Sequence, residues 1–397
     1  MPPVAQFQLS GTPSEIGFQH GQLAAVQIGN SLDLYRHYFK EQAGLEWNQV
    51  RELAHDFARF IERDHHDLLD EIKGIAQGAG QEWIDIVALN VRSEIGLASP
   101  NAERMKPIDG CTAFSLQDKD GTLWSAQNWD WKSAAADSLI ALDILAHEPT
   151  KRPRIRIMTE AGVIGKIGVN EFGVSTILNA LKTKLRDPSQ IPIHLLLRRL
   201  VSLPSIEACL AYLECPPVSN RCASAAHILL TSPVESVSLE LLPTGTFART
   251  LTSSSTDGSA TPARGDERQF LTHTNHLLYT KEETETQLWP DSFPRLSTLE
   301  TLLSNVTDGV SASSTSVDNA QTPRTEGGDM SFAQIRNILS DRSLGEKGIC
   351  RYENERDGDI VTVFSIATRH SRDREDLEAQ VIVGRPDEGG QLIKFDF

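Results

Sequence analysis

The sequence predicts an α+β protein, with a helical N-terminal part followed by a larger part rich in antiparallel strands. Through roughly the first hundred residues, apolar side chains recur at the three- and four-residue spacing of helices. From Cys111 onward, short apolar runs separated by turns are typical of strands, and helical stretches are grouped between them. This grouping favours a layered α+β architecture over a strict alternation of strand and helix.

Composition indicates a globular protein and excludes two classes of partner. The 397 residues include 54 acidic and 38 basic side chains, which gives a formal net charge of −16. So acidic a surface argues against binding to nucleic-acid phosphates, because that requires clustered lysine and arginine. No run approaches the ~18 apolar residues of a membrane span. We therefore expect neither nucleic acid nor membrane as a partner.

Cysteine usage and the termini indicate the compartment. The five cysteines are scattered and contain no C-x-x-C pair, which argues against a disulfide framework or a zinc site and favours a reducing environment. The first residues lack the layout of a signal peptide. Phe395-Asp396-Phe397 is not a peroxisomal tripeptide. We expect a cytoplasmic protein.

The helical part begins with a capping box, Thr12 to Glu15, in which Pro13 takes the first helical position. Gly17 and Gly21 follow four residues apart, so another backbone could approach this helix closely. A shorter helix is expected from about Glu82 to Arg92. Two apolar stripes predict two more helices between the first helix and the one near Glu82. They are Val50, Leu53, Phe57, Phe60 and Ile61, and then Leu68, Leu69, Ile72 and Ile75.

A β-hairpin opens the second part. It comprises Thr112 to Leu116, a turn at Asp118 to Gly121, and Thr122 to Trp129. If the turn centres between Lys119 and Asp120, Cys111 faces about Asn128. Asp130, two residues further on, is then expected near the backbone nitrogen of Cys111.

More strands and helices are expected beyond the hairpin. Strand-like runs are Arg154 to Met158, Gly173 to Leu178, Ala226 to Leu230, Val237 to Leu242, Phe247 to Leu251, Ile360 to Ala367 and Ala379 to Val383. Helical stretches are Ile193 to Val201, Ile206 to Leu213, Phe293 to Leu303 and Phe332 to Leu339. The glycine-rich residues 162–168 do not fit the spacing of a phosphate-binding loop and are interpreted as a turn between strands.

Two segments, 253–266 and 304–329, differ in composition from the rest of the chain. They are long, rich in Ser, Thr, Gly, Asp and Asn, and poor in apolar residues. Such segments cannot bury enough surface to offset the entropy lost on ordering. We predict two disordered surface insertions.

Cys111 is the candidate nucleophile. An isolated cysteine is most often a small buried hydrophobe, but two features argue otherwise here. Gly110 precedes it, and a residue without Cβ lets another atom approach its carbonyl group. Cys111 also lies where the helical pattern ends and the sheet begins.

Five groups of residues carry a resemblance to a known family. They are Asp109-Gly110-Cys111-Thr112, Gln127-Asn128-Trp129-Asp130, the run from Thr159 to Lys166, Thr272-His273-Thr274-Asn275-His276, and Ile349-Cys350-Arg351. In this order they resemble the isopenicillin N acyltransferase family (acyl-CoA:6-aminopenicillanic acid acyltransferase, peptidase family C45). The similarity extends to Thr12 to Gly17 and Leu89 to Glu94, and thus covers most of the chain outside the two predicted insertions.

The resemblance implies an N-terminal nucleophile hydrolase fold, a four-layer αββα sandwich made as an inactive precursor. In such a family the precursor cuts itself before the cysteine, which here is the bond between Gly110 and Cys111. The products would be a helical α chain, residues 1–110, and a β chain with the catalytic core, residues 111–397. The two chains are expected to stay associated.

The resemblance also implies the site residues. Cys111 would be the nucleophile, with its freed α-amine as the base, since such an amine has a reference pKa of ~7.7–8.0. Asp130 would orient that amine, and Arg351 would neutralise Asp130 or hold the thiol end of the site. Asn275 would donate to the oxyanion of the tetrahedral intermediate. Asn179 is a weaker candidate for lining the substrate pocket.

Two classes of function stay open at this stage. The first is an enzyme that moves an acyl group through a Cys111 thioester, either an acyl-CoA-dependent N-acyltransferase or an amidohydrolase cleaving N-acyl or β-alanyl amides. The second is a non-catalytic binding protein on the same fold. The enzyme would use a small-molecule acyl donor and an amine acceptor. It needs no metal or organic cofactor, and coenzyme A would enter only as the carrier of the acyl donor.

Overall fold

The computed structural model describes residues 3–97, 110–147, 151–252, 269–280, 290–307, 330–353, 360–371 and 376–397. The helices in these ranges are α1 Pro13–Leu23, α2 Ala25–Tyr38, α3 Trp47–Asp64, α4 His66–Ala79, α5 Trp83–Asn90, α6 Arg92–Leu97, α7 Ile193–Leu200, α8 Ile206–Glu214, α9 Ser292–Thr307 and α10 Phe332–Leu339. None of these helices has the length and apolar character needed to cross a membrane.

The strands form two sheets. They are β1 Ala5–Leu9, β2 Thr112–Gln117, β3 Leu123–Lys132, β4 Leu139–Ile144, β5 Ile155–Glu160, β6 Ile167–Asn170, β7 Ser175–Ala180, β8 Ala226–Thr231, β9 Glu235–Leu242, β10 Gly245–Thr252, β11 Phe270–His273, β12 Ile360–His370, β13 Glu378–Val383 and β14 Leu392–Asp396. One sheet has the order β1-β4-β5-β6-β7-β8-β9-β10 and the other β11-β2-β3-β12-β13-β14. Only the described pair β1 and β4 is parallel.

Three apolar clusters show that the elements are stacked in four layers. The cluster between the sheets joins Met158 and Ile177 of the first sheet to Ala113 and Phe364 of the second. A larger cluster covers the outer face of the first sheet with α1 to α5, α7 and α8. A third cluster packs α9 and α10 on the outer face of the second sheet. The predicted αββα sandwich is therefore confirmed.

Five strands were not predicted, namely β1, β4, β6, β11 and β14. Four of them are only four or five residues long, and β6 overlaps the end of the glycine-rich segment that is interpreted as a turn. The strand β1 also corrects the prediction that residues 1–110 are helical. It alternates in burial and pairs with β4, so the N-terminal part contributes an edge strand to the first sheet.

The hairpin register differs by one residue from the predicted one. Thr112, not Cys111, is paired with Asn128. The reason is the turn, in which Asp118 and Thr122 enclose three loop residues ending at Gly121 with φ 82°. Gly121 takes the left-handed conformation that closes three-residue hairpin loops, which adds one residue to the expected two.

The predicted disordered insertion 304–329 begins too early. Residues 304–307 form the last turn of α9, where Leu303 is buried against α10 and the second sheet. Packing of Leu299 and Leu303 extends the helix beyond the point where composition becomes polar. The predicted insertion 253–266 and the remainder of the second, 308–329, lie outside the described residues.

Four glycines let α1 and α4 meet backbone to backbone. A Cβ on Gly17 or Gly21 of α1 would overlap the backbone of Glu71 or Ile75, and a Cβ on Gly74 or Gly78 of α4 would overlap that of Ser14 or Phe18. The close approach expected from the spacing of Gly17 and Gly21 is thus confirmed, with α4 as the partner helix.

We expect Gly21→Ala to lower the free energy of unfolding by roughly 1–3 kcal/mol, because the added methyl group forces two packed backbones apart. The matched control is Gly29→Ala in α2, where an added Cβ meets nothing within 4 Å. That substitution should be neutral or stabilising, because alanine favours a helix over glycine by about 1 kcal/mol. Urea unfolding of both variants measures the difference, and equal effects would contradict this description of the interface.

Candidate active site

Cys111 immediately precedes β2 and lies at the inner edge of the second sheet, with 1% of its surface exposed. The residue before it, Gly110, is buried and is in close contact with a side chain from a distant part of the chain. A Cβ at this position would overlap the guanidinium group of Arg351. A side chain at this position would displace the guanidinium group, because the charged group occupies the space of a Cβ.

Arg351 also contacts Asp130, as the resemblance implied. The Nε atom of Arg351 lies 3.4 Å from Oδ2 of Asp130, which is fully buried. Thr362 connects the same two residues by a second route: its hydroxyl group donates to Oδ1 of Asp130 at 2.7 Å and accepts from the backbone N–H of Arg351 at 2.9 Å. Thr362 is the β12 partner of Asp130 and adjoins a register shift in that ladder.

Asp291 connects Arg351 to a second buried arginine, Arg295. Its Oδ2 atom accepts from Nη2 of Arg351 and, at 3.1 Å, from Nε of Arg295. Burial alone would raise the pKa of Asp291, but the two guanidinium groups outweigh it and hold this pKa below its ordinary value. With Asp130 and Arg351, the four side chains form a buried cluster with two charges of each sign.

Arg295 joins this cluster to Cys111 and Asn275. It donates to the backbone carbonyl of Cys111 at 2.8 Å and to the hydroxyl of Thr112 at 3.0 Å through Nη1. Through Nη2 it donates to Oδ1 of Asn275 at 2.8 Å. The carboxamide nitrogen of Asn275 in turn donates to the backbone carbonyl of Ala180 at 3.0 Å. A single fully buried guanidinium group therefore fixes the positions of Cys111 and Asn275 relative to each other.

The structure thus brings together Gly110, Cys111, Asp130, Asn275 and Arg351. It does not place Asn179 with them. The Oδ1 atom of Asn179 accepts from Nδ1 of His227 at 2.9 Å, and its Nδ2 atom donates to the backbone carbonyl of His273 at 3.4 Å.

Asn179 belongs to the opposite face of β7 from the cavity beside Cys111. Leu178 and Ala180, its neighbours in the strand, are the β7 residues that line that cavity within the described ranges. Because side chains alternate between the faces of a strand, Asn179 is turned away. The prediction that it lines the substrate pocket is not met by this cavity.

The cavity has a volume of about 40 Å³, which is space for about three water molecules. Cys111 forms part of its wall together with the aromatic side chains of Tyr38, Trp129 and Trp131. These walls are apolar enough to hold a small acyl chain against the thiol. Two cationic side chains, Arg92 and Lys166, also line it.

Sequence reasoning missed three residues of the cluster: Asp291, Arg295 and Thr362. A signal for the first two was present, because aspartate and arginine four residues apart form an ion pair at the start of a helix. Arginine within the predicted apolar stretch Phe293 to Leu303 was a further sign that it is buried and paired. Thr362 gave no signal, since threonine is ordinary in a strand.

A family model and a curated relative of the same description match most of the chain. A family model described as acyl-coenzyme A:6-aminopenicillanic acid acyl-transferase matches residues 116–369. The chain is 29% identical over 389 residues to the 40 kDa form of acyl-coenzyme A:6-aminopenicillanic-acid-acyltransferase from Emericella nidulans, covering 98% of this chain and 94% of that protein. A solved structure, penicillin V acylase from Agrobacterium tumefaciens, aligns with a TM-score of 0.40 and 12% identity over 72% of this chain and 86% of that one.

We expect Asp291→Asn to lower the free energy of unfolding at pH 7 by roughly 3–5 kcal/mol, because it leaves two buried guanidinium groups without their shared carboxylate. The carboxylate has a lowered pKa, so its contribution is complete above the ordinary carboxyl pKa and is lost as the pH falls through the lowered folded value. The difference between variant and wild type should therefore shrink in strong acid.

The control is Asp33→Asn, which removes a carboxylate paired with Arg36 on the protein surface. An exposed pair contributes little, so this variant should unfold almost as the wild type does. Urea unfolding at pH 7 and in acid measures both. If Asp291→Asn lowers the free energy of unfolding no more than Asp33→Asn does, the Asp291 carboxylate does not hold the two buried arginines together.

Proposed function

Because the chain belongs to the acyl-coenzyme A:6-aminopenicillanic acid acyl-transferase family, we propose that it is a self-processing enzyme that transfers an acyl group through a thioester on Cys111. The observation that carries the proposal is the contact of Arg351 with Gly110, while the same guanidinium group is tied to Asp130 and Asp291. A fixed positive charge thus lies against the residue whose carbonyl carbon the thiol must attack.

The first reaction is cleavage of the chain's own peptide bond between Gly110 and Cys111. The Cys111 thiolate attacks the Gly110 carbonyl carbon, the acyl group moves from nitrogen to sulfur, and water opens the resulting thioester. Negative charge develops on the Gly110 oxygen during the attack, and the nearby guanidinium group of Arg351 lowers the energy of that charge. The two arginines and two aspartates of the cluster have no net charge. The positive charge of Arg351 is therefore buried as part of an ion pair and not alone.

After cleavage, the α-amine of Cys111 takes over as the base of the mature enzyme. Its ordinary pKa of ~7.7–8.0 suits proton transfer near neutrality, and it lies on the same residue as the thiol. Asp130 accepts a hydrogen bond from this amine and orients it. Thr362 and Arg351 hold the carboxylate of Asp130 in one position, so it need not reorganise when the amine gains a proton.

Asn275 stabilises the oxyanion formed when the acyl donor reacts. Its carboxamide group has two N–H donors, and the bond to the Ala180 carbonyl uses one of them. The bond from Arg295 to its oxygen fixes the orientation of the amide, so the nitrogen faces the carbonyl of Ala180, a residue that lines the Cys111 cavity. The second N–H is therefore the donor for the oxyanion.

The two chains produced by cleavage stay together because the N-terminal part is built into the core. Strand β1 pairs along its whole length with β4, and helix α2 donates from Asn30 to the backbone of Asp137 at 2.9 Å. Helices α1 to α5 also cover the outer face of the first sheet. Loss of this cover would expose a large apolar surface to water.

In the mature enzyme, the acyl donor gives its acyl group to Cys111 and an amine then takes it. An acyl-coenzyme A would serve as the donor and would leave as free coenzyme A, with no organic cofactor bound permanently. If water replaces the amine, the same thioester makes the enzyme an amidohydrolase. The purified protein should be offered phenylacetyl-coenzyme A with 6-aminopenicillanic acid, and in parallel simple N-acyl amino acids. Formation of the new amide is expected, and turnover of the N-acyl amino acids alone would favour the hydrolase.

Cys111→Ala should remain a single chain, because the substitution removes the sulfur atom that attacks Gly110 in the proposed reaction. The control is Cys215→Ala, which removes an exposed free cysteine and should be cut as the wild type is. Intact-mass analysis and N-terminal sequencing decide the result, with a new Cys-Thr-Ala-Phe terminus expected in wild type and control. Cleavage of Cys111→Ala at the same bond would refute self-processing.

Asn275→Ala should lower kcat of the processed enzyme by roughly 10²–10³, because one oxyanion donor is lost. Substrate binding is expected to change much less, so KM should stay near the wild-type value. Steady-state kinetics on protein shown by mass analysis to be fully cut separates this effect from slow processing. A loss confined to KM would instead assign Asn275 to substrate binding.

A further inference from the structure

A second buried charged cluster shares the cavity with Cys111 and has no part in the reactions above. Its centre is Glu160, the last residue of β5, which accepts from Lys166 Nζ at 2.6 Å, from the Tyr35 hydroxyl at 2.5 Å and from Arg92 Nη2. All four side chains are buried. Two cations share one carboxylate, so this cluster brings an excess positive charge to the cavity wall.

The ammonium group of Lys166 is the part of the cluster that reaches towards Cys111. It lies 3.5 Å from the centroid of the Trp129 ring, and Trp129 follows Asn128, the strand partner of Thr112. Lys166, Trp129 and Cys111 line the same small cavity. The lysine and the cysteine are also close enough for their charges to interact.

The glycine-rich turn explains how this lysine is held. Asn90 donates to the carbonyl of Gly162 at 2.8 Å and accepts from the N–H of Ile164 at 3.0 Å. Gly165 meets the backbone of α7 so closely that a Cβ there would overlap it. The turn is therefore fixed by α5 and α7, and it places Lys166 at the cavity, immediately before β6.

The unprocessed chain needs a base that the mature enzyme does not. Before cleavage, the nitrogen of Cys111 is part of the peptide bond to Gly110 and cannot accept a proton. Some other group must therefore take the proton from the thiol. We propose that Lys166 is this group, the proton acceptor for the Cys111 thiol during self-cleavage. The inference rests on the proposed self-processing function.

The protons and bonds balance through Lys166. The thiol proton passes to Nζ of Lys166, and the thiolate attacks the carbonyl carbon of Gly110. The bond from that carbon to the Cys111 nitrogen then breaks, and Lys166 returns the proton to the departing nitrogen. Gly110 is left as a thioester on Sγ, which water hydrolyses to a free carboxyl group and the thiol.

Three other titratable groups that line this cavity, Arg92, Tyr35 and His194, are less suited to the task. Arg92 stays protonated, because Glu160 and Tyr35 outweigh burial and raise its pKa above an already high value. Burial, with Glu160 acting in the same direction, raises the pKa of Tyr35 well above its ordinary value, so the phenol holds its proton. Burial, together with Arg92 and Lys166, lowers the pKa of His194 well below its ordinary value, so the imidazole accepts a proton poorly.

Lys166 itself is tuned towards neutrality. Burial lowers the pKa of Lys166 to about 8, with Arg92 acting in the same direction and Glu160 and Cys111 opposing it. The neutral amine is therefore the minor form at pH 7 and becomes the major form above pH 8. The self-cleavage rate should rise with pH through this range.

The test follows cleavage of the full-length chain by intact mass, from freshly purified protein, across pH 6 to 9 as a convenient range around the expected value of about 8. We expect Lys166→Met to slow cleavage by at least about 100-fold, the lower end of what a general base contributes, and to abolish the rise with pH. Lys394→Met, which removes an ammonium group paired with Glu378 on the surface, is the control and should be cut at the wild-type rate.

Glu160→Gln provides a measurement, the midpoint of the rate–pH curve, that would not change if Lys166 had only a structural role. Removing the carboxylate that raises the pKa of Lys166 should shift the midpoint of the rate–pH curve to lower pH. This variant decides the question if Lys166→Met does not fold, because an unchanged midpoint would overturn the proposal.

If the Lys166→Met chain is cut at the wild-type rate and with the wild-type pH profile, the role of Lys166 is overturned and self-processing stays intact. A wild-type chain that is never cut would instead overturn self-processing and this inference with it. The two failures are therefore distinguishable in one experiment.

Discussion

The contact between the guanidinium group of Arg351 and the α-carbon of Gly110 is the constraint on which the site depends. It exists only because Gly110 has no side chain. The arginine is held there by two carboxylates, Asp130 and Asp291, and Asp291 in turn holds Arg295, which fixes the Cys111 carbonyl. A buried charge of this kind is tolerated only when it is paired, so the cluster holds Gly110 and the Cys111 carbonyl in one geometry.

The αββα architecture explains why these residues can meet. Cys111 immediately precedes β2 and Asp130 lies on the neighbouring strand β3 of the second sheet. Glu160 ends β5 and Lys166 immediately precedes β6, both in the first sheet, across the apolar layer that joins the two. The N-terminal part adds Arg92 and Tyr35 to the same cavity wall. The residues around the cavity therefore come from both sheets and from both sides of the Gly110–Cys111 bond, so the proposed cleavage requires its two products to stay associated.

Much of this fold could be predicted from the sequence, because periodic apolar patterns persist over whole helices and over strands such as β8 and β12. Short strands such as β6 and β11 were missed, since four residues give no clear period. The hairpin register was wrong by one because the left-handed Gly121 lengthens the turn. At the site, motif resemblance led to Cys111, Asp130, Asn275 and Arg351. Arg295 and Thr362 lie far along the chain from Cys111, and only the folded structure shows what they contact.

The central claim is that the Cys111 thiol itself breaks the bond to Gly110 and carries the Gly110 acyl group as a thioester until water releases it. Adding hydroxylamine during processing of freshly made full-length chain tests this directly, because hydroxylamine attacks thioesters much faster than ordinary peptide bonds. The expected product is an N-terminal fragment ending in a Gly110 hydroxamate, in a proportion that rises with hydroxylamine concentration. A fragment that always ends in the Gly110 carboxylate, or that ends at another residue, would contradict the account.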